Sequence, residues 1–376
     1  MDPPTLPVLD LSLASNPSTK PLLLASLKSA LFHTGFLYLT NHGISPDVIA
    51  ALTSRVPVLF SLPSESKAKI SMHNSPHFVG HSGFTEEKTR GKKDLREQFD
   101  FGSELPVVWQ SKDEVKERET DFTKLYWRLR GPNQWPDEEE KDLKGFREAL
   151  ENYMAAVESL SLRFVHLIEE AFEIPVGTFD SFFTSRGPNL PPQHRVKIIK
   201  YPPSSSPGVR GQGVGAHKDS GGWLTFLLQL GETVEEAEGL QVLNPQNLET
   251  EEWISAPLIS NSFVVNFGNA FEAATSGGVR ATVHRVLTPK STSGPRYSIP
   301  FFMGLPLDMT VNQIKRSIPS EVHRLRSDSD EKNDYALDHK WAEEDLGVAQ
   351  LRKWFRSHRE VAEKWYGVEF VDRYLQ

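Results

Sequence analysis

Residues 215–229 read GAHKDSGGWLTFLLQ, so that His217 and Asp219, two groups able to bind protons or metals, open an apolar run reaching Leu230. The run has the β-branched and aromatic character of a buried strand, and alternate residues of an extended chain point the same way. His217 and Asp219 can therefore converge while Lys218 points elsewhere. The flanking sequence continues in kind. RVKIIKY (195–201), GLQVLN (239–244), SFVVNFG (262–268), ATVHRVL (281–287) and RYSIPFFMG (296–304) are short β-rich segments punctuated by Gly, Pro, Ser and Asn. Six or more short strands within about 115 residues point to an antiparallel barrel or jelly roll.

The chain before and after reads differently. PVLDL (7–11) and GFLYLTNHG (35–43) are strand-like. Lys20 to Phe32 is helical, with Leu23, Leu27, Ala30 and Leu31 on one side, and a further helix runs from Pro46 to about Leu59. Residues 63–140 are polar and irregular, and predict loops and short elements. Phe146 to Phe172 is the clearest helix, since Phe146, Leu150, Met154, Val157, Leu160, Phe164 and Leu167 form one apolar stripe. His166 lies beside that stripe as a helix-surface histidine. The stretch from about 320 to 365 is charged and then helical, with SDSDEKND (327–334) as a loop.

The bulk numbers narrow the function classes. The 376 residues, 38% of them hydrophobic, suffice for one large domain or two ordinary ones. A formal charge of −8 argues against a nucleic-acid binder. No apolar run reaches membrane-spanning length and the first residues do not read as a secretory leader, so the expectation is a cytoplasmic protein. The chain has no cysteine, which removes disulfides, thiolate metal sites and cysteine nucleophiles. Any metal site must draw on its 12 histidines and on carboxylates.

A third ligand is available for His217 and Asp219. His284 lies 67 residues beyond His217, again in a β segment. Two histidines and one carboxylate are the facial set of a non-haem Fe(II) site, which leaves positions open for a co-substrate and dioxygen. Arg296 and Ser298, beginning 12 residues after His284, share a strand face. Arginine grips a carboxylate through two parallel hydrogen bonds and serine adds a donor, which suits the distal carboxylate of 2-oxoglutarate. Rival readings are weaker. GQGVGA (211–216) matches a dinucleotide fingerprint, but a β-rich run follows it instead of a helix. There is no G-x-S-x-G elbow, and zinc at the same three residues would need hydrolytic partners that the sequence does not offer.

At this point the chain resembles the non-haem Fe(II)/2-oxoglutarate-dependent dioxygenases of the isopenicillin N synthase-like family. LPVLDLS, GFLYLTNHGIS and LFSLPSESKAKI resemble the family's N-terminal region, and HSGFTEEKTRGKKDLREQFDFG its connecting segment. KYPP, GAHKDSGGWLTFLLQ, GLQV, VVNFGNAFEAATSGGVRATVHRV and RYSIPFF follow the order of its core, and SHREVAEKWY its C-terminal helix. The resemblance implies a mostly β protein with helices. A double-stranded β-helix (jelly roll) core would occupy 176–310, with a mixed α/β region at 1–175 packed on it. A charged loop and C-terminal helix at 311–376 would complete one compact unit. It implies His217, Asp219 and His284 as iron ligands, Arg296 and Ser298 as the anchor of 2-oxoglutarate, and Tyr201 of KYPP as a further hold on a co-substrate carboxylate.

The implied reaction uses Fe(II), 2-oxoglutarate and O2. It oxidises a small-molecule, secondary-metabolite substrate by hydroxylation, desaturation or ring closure, and releases succinate and CO2. An iron oxidase that does not use 2-oxoglutarate, as isopenicillin N synthase is, and a non-catalytic barrel remain as alternatives. The oligomeric state is not encoded in any motif. Expected pocket walls are Lys197, Ile199, Leu227 and Phe302; a core-facing lysine at 197 would need an anionic partner. The loop near 327–340 and the C-terminal helix are candidates for a lid.

Three departures from the family pattern stand out. Ile199 replaces a frequent asparagine, and Asn269 stands where aspartate is common. Ser220-Gly221-Gly222-Trp223 holds one residue more than expected. An extra strand residue makes a bulge, which leaves open whether Phe226 or Leu227 faces the substrate.

Overall fold

A computed structural model describes residues 5–111, 120–140, 142–184, 190–205, 207–220, 222–231, 239–245, 251–323 and 343–376. The strands are β1 (Val8–Asp10), β2 (Phe36–Thr40), β3 (Gly80–Ser82), β4 (Lys88–Thr89), β5 (Lys92–Lys93), β6 (Glu97–Gly102) and β7 (Arg195–Tyr201). They continue as β8 (Gln212–His217), β9 (Gly222–Leu230), β10 (Leu240–Leu243), β11 (Trp253–Ser255), β12 (Ser262–Phe267), β13 (His284–Leu287) and β14 (Arg296–Gly304). Eight form the major sheet in the order β1-β2-β12-β9-β14-β7-β6-β3. Four form the minor sheet in the order β11-β10-β13-β8, and β4 and β5 make a separate hairpin. Pairing is antiparallel except between β1 and β2. Two facing antiparallel sheets with long crossings between them are the jelly roll that the strand pattern predicts.

Side-chain alternation sets the two faces of the major sheet. Val196, Ile198, Phe226, Leu228, Phe263, Val265, Ile299 and Phe301 are buried on its outer face, in one core with the helix Phe146–Ala171. Phe164 of that helix meets Phe226 edge-on, with ring centres 5.8 Å apart. The inner face carries Ile199, Tyr201 and Val264, which pack against Val214, Leu240, Val242 and Val286 of the minor sheet. Leu227 joins this inner cluster, so the Phe226/Leu227 ambiguity resolves in favour of Leu227 facing inward.

The major sheet takes β1, β2, β3 and β6 from the first 175 residues. The expected line at residue 175 is therefore not a division of the sheet: those strands complete it instead of packing on it. Residues 97–102 are the clearest difference from expectation. EQFDFG is polar at alternate positions, yet β6 pairs along its length with β7. Phe99 and Phe101 enter the outer core, while Gln98 and Asp100 are buried on the other side. The predicted helix Pro46–Leu59 is two helices, Pro46–Thr53 and Val56–Phe60, and Pro57 opens the second, where its missing N–H costs nothing.

The C-terminal helix is three helices, Leu346–Ser357, Arg359–Tyr366 and Val368–Leu375. Trp354, Phe355, Val361 and Val371 from them pack with Phe78, Tyr126 and Trp127 in a second core. The lid candidate at 327–340 lies outside the described residues. Among the described residues no helix is long and apolar enough to cross a membrane.

Candidate active site

His217 ends β8 and His284 begins β13, and the two are register partners across the minor sheet. Their ring centres are 4.3 Å apart. Asp219 follows two residues later. Its Oδ1 lies 3.7 Å from His217 Nε2 and 3.8 Å from His284 Nε2. One ligand atom from each of the three residues falls within 4.8 Å of the others, close enough for a single ion to bond all three.

The rest of each side chain is fixed by hydrogen bonds. His217 Nδ1 is 2.8 Å from Gly215 O and His284 Nδ1 is 3.1 Å from Thr282 O. A carbonyl only accepts, so each Nδ1 carries its proton and each Nε2 turns a lone pair to the centre. Asp219 Oδ2 accepts from Thr225 Oγ1 and from Asn266 Nδ2, both at 2.7 Å, which leaves Oδ1 for the centre. Burial depresses the His217 pKa to about 3, and the His284 ring adds to this. Burial pushes Asp219 upward, but the two imidazoles and the Asn266 and Thr225 hydrogen bonds outweigh it and hold the carboxyl at about 2. At neutral pH the set thus presents an anionic carboxylate and a neutral His217, the protonation states a cation requires. Two imidazole nitrogens and one carboxylate oxygen on one side of a centre fit Fe(II).

The backbone beside Asp219 is clamped. Asn269 N donates to Asp219 O at 2.8 Å, and Gly268 N donates to Trp223 O at 3.2 Å. A Cβ on Gly268 would lie 2.0 Å from Gly222 O. Here β14 pairs Met303 with Leu224 but Gly304 with Gly222, so Trp223 is the additional residue of a bulge. Its indole stacks on Phe271 with ring centres 3.9 Å apart. Gly221 lies outside the described residues.

His217, Asp219 and His284 line one cavity of about 330 Å³. Arg296, Ser298 and Tyr201 line it too, as do Lys197, Ile199, Leu227 and Phe302. Arg296 is buried; its Nη2 donates to Gln229 Oε1 at 2.9 Å and its guanidinium sits 5.0 Å from the centre of the Tyr201 ring. Burial lowers its pKa, and Tyr201 opposes that shift.

Residues 6–138 match the model of the N-terminal region of non-haem dioxygenases in morphine synthesis, and residues 192–305 match the 2OG-Fe(II) oxygenase superfamily. The chain is 38% identical to the 2-oxoglutarate-dependent dioxygenase frbJ of Dothideomycetidae sp., over 96% of this chain and 92% of that one. The chain belongs to the 2-oxoglutarate-dependent Fe(II) dioxygenases. A 2-oxoglutarate-dependent dioxygenase of Gibberella zeae is 32% identical over 86% of this chain and 81% of its own. A full-length Neurospora crassa protein solved with alpha-KG and thymine superposes with a TM-score of 0.63 at 25% identity, covering 81% of this chain and 87% of that one. The protein is thus an Fe(II)/2-oxoglutarate dioxygenase with iron, 2-oxoglutarate and dioxygen as its cofactor and co-substrates.

Sequence reading missed a buried charge cluster on one wall of the dioxygenase's cavity. Lys197 does point inward, and its Nζ lies 2.9 Å from Asp100 Oδ1 and 3.2 Å from Glu87 Oε2. Arg96 Nη2 is 2.8 Å from the same Glu87 oxygen. Arg96, Gln98 and Asp100 alternate with Phe99 and Phe101, and that period-two pattern was the available signal. Lys218, read as pointing elsewhere, lines the cavity and also donates to Glu272 Oε2 at 2.7 Å, tying the strand mouth to the helix Asn269–Ala274. His166 bonds Asp180 at 2.8 Å, away from the cavity.

Proposed function

We propose that His217, Asp219 and His284 hold the Fe(II), that Arg296, Ser298 and Tyr201 hold the distal carboxylate of 2-oxoglutarate, and that the enzyme oxidises a small-molecule secondary metabolite. The observation that carries this reading is one cavity lined both by three convergent metal donors and by a buried arginine. Fungal 2-oxoglutarate-dependent dioxygenases among the relatives, and thymine in the Neurospora protein, support a small molecule as substrate.

When bound, the iron and 2-oxoglutarate together supply dioxygen activation coupled to release of succinate and CO2. The chain's own residues hold and orient. Thr225 and Asn266 keep Asp219 Oδ1 directed at the centre. Gln229 fixes the guanidinium of Arg296, and Ser298, two residues along β14, adds a hydroxyl on the same face. Ile199, Leu227, Val214 and Val286 form apolar walls, so water is excluded from the carbon to be oxidised. Lys197, Ile199, Leu227 and Phe302 are assigned to the substrate, and its seating against them selects hydroxylation, desaturation or ring closure.

The test is succinate formation against 2-oxoglutarate concentration in the wild type and in Arg296→Ala. Loss of a charge-assisted pair should raise the 2-oxoglutarate requirement about 10- to 100-fold. An unchanged requirement, with turnover intact, would instead assign Arg296 to the substrate of an iron oxidase that does not consume 2-oxoglutarate.

A further inference from the structure

The cavity is opposite in charge to the chain. The chain carries −8, yet among the described lining side chains eight are basic and only Glu87 and Asp219 are acidic. Four of the basic groups are accounted for. Arg96 and Lys197 pair with Glu87 and Asp100, Lys218 pairs with Glu272, and Arg296 is assigned above to the co-substrate. Lys353 and Arg356 are a different case. With Ala349 and Ser357 they line the cavity from the helix Leu346–Ser357, at positions that fall on one helical face. Lys88 of the β4–β5 hairpin lines the same cavity.

Among the described residues, Lys353 Nζ makes no ion pair and no hydrogen bond. The ammonium instead stands 6.0 Å from the ring centres of Phe302 and Trp354, and also borders a small adjoining cavity of about 60 Å³. Lys353 is exposed where it lines the cavity; the surrounding protein lowers its pKa, and the nearby carboxylates Asp219, Glu87 and Asp100 oppose that shift. A cavity-lining cation that makes no direct ion pair among the described residues offers its charge to an anionic ligand group. The position is distinct from the co-substrate anchor. Arg296 and Phe302 are six residues apart on β14, roughly 20 Å along the strand at its usual rise.

We infer that the substrate is a carboxylic acid whose ionised carboxylate pairs with Lys353, flanked by Arg356, while its apolar part lies against Ile199 and Leu227. This rests on the reading above, because it takes Arg296 as occupied by 2-oxoglutarate. The test uses the whole protein loaded anaerobically with Fe(II) and 2-oxoglutarate. Calorimetric titration with cinnamate, octanoate and indole-3-propionate, each beside its primary amide, reads the charge preference directly. At least one acid should bind about tenfold or more tightly than its amide, as a charge-assisted pair predicts. Lys353→Gln should abolish that preference and Lys353→Arg should keep most of it. Lys353→Gln should melt no lower than the wild type, since it breaks no ion pair. If it does melt lower, Arg356→Gln provides the same comparison at the neighbouring cavity-lining cation, with a smaller loss of preference. No acid preferred over its amide, including no binding at all, overturns the inference, as does a preference that survives Lys353→Gln. Failure of 2-oxoglutarate itself to bind in the loading step would strike the co-substrate assignment instead.

Discussion

Asp219 shows how much of the proposed metal centre lies beyond its ligands. Its Oδ2 spends both contacts on Thr225 and Asn266, residues of β9 and β12, so the carboxylate cannot swing its free oxygen away from the two imidazoles. Partners of this kind usually set metal affinity within a 10- to 100-fold range. Thr225→Val and Asn266→Ala should each weaken Fe(II) binding by about tenfold or more, with the fold retained. Anaerobic Fe(II) titration checks this; wild-type affinity in both variants would show that Asp219 is oriented by its backbone alone. The candidate set His217, Asp219, His284 and Arg296 was visible in the sequence through residue type, the His-x-Asp and Arg-x-Ser spacings and the resemblance to the dioxygenase family. Thr225, Asn266 and Gln229 were not. Each is an ordinary strand residue whose role depends on a neighbour in another strand, and one sequence does not state strand order.

At the scale of the element, the mouth of β9 carries the most local constraint. Asp219, Trp223 and the backbone of Gly268 and Asn269 are joined by hydrogen bonds, and Gly222 O sits where a Cβ on Gly268 would be. Gly268→Ala must therefore push β9 and the Asn269–Ala274 helix apart. The expected cost is about 1–3 kcal/mol, as for an overpacked core, with a further loss of Fe(II) affinity because Asp219 moves with the clamp. Denaturant unfolding and metal titration of the same variant read the two effects; unchanged stability would mean that the bulge relaxes freely. The bulge itself was foreseeable from the additional residue in Ser220–Trp223, although its position at Trp223 needed the register with β14. Helix Phe146–Ala171 was legible because seven apolar residues repeat at helical spacing. Strand β6 was not, because its inward positions are Gln98 and Asp100, and buried polar groups look like loop residues until their partners are known.

At the scale of the whole molecule, the C-terminal helices meet the buried charge cluster at His358. It lies at the junction of Leu346–Ser357 and Arg359–Tyr366, buried against Trp354 and Phe78, with Nε2 4.0 Å from Glu87 Oε2. Burial drives its pKa from 6.5 to about 3; Lys197, Arg96 and Lys353 reinforce the shift and Glu87 opposes it. In the unfolded chain this imidazole takes a proton near pH 6.5, whereas in the folded protein it stays neutral until about pH 3. Between those values the unfolded state binds more protons, so stability rises with pH. The contribution is complete above 6.5 and is lost as pH falls toward 3. His217 shares this behaviour in metal-free protein, with a pKa also near 3. The melting temperature of metal-free protein should therefore fall steadily between pH 7 and pH 4, the interval about which both histidines change their unfolded charge. In His358→Phe, which keeps an aromatic ring against Trp354, the fall should be shallower while the His217 component persists. Identical slopes in the two proteins would mean that His358 becomes protonated without unfolding. The helical cap would then separate from the Glu87–Lys197 cluster as a local event, and the cavity wall that carries Lys353 would open with it.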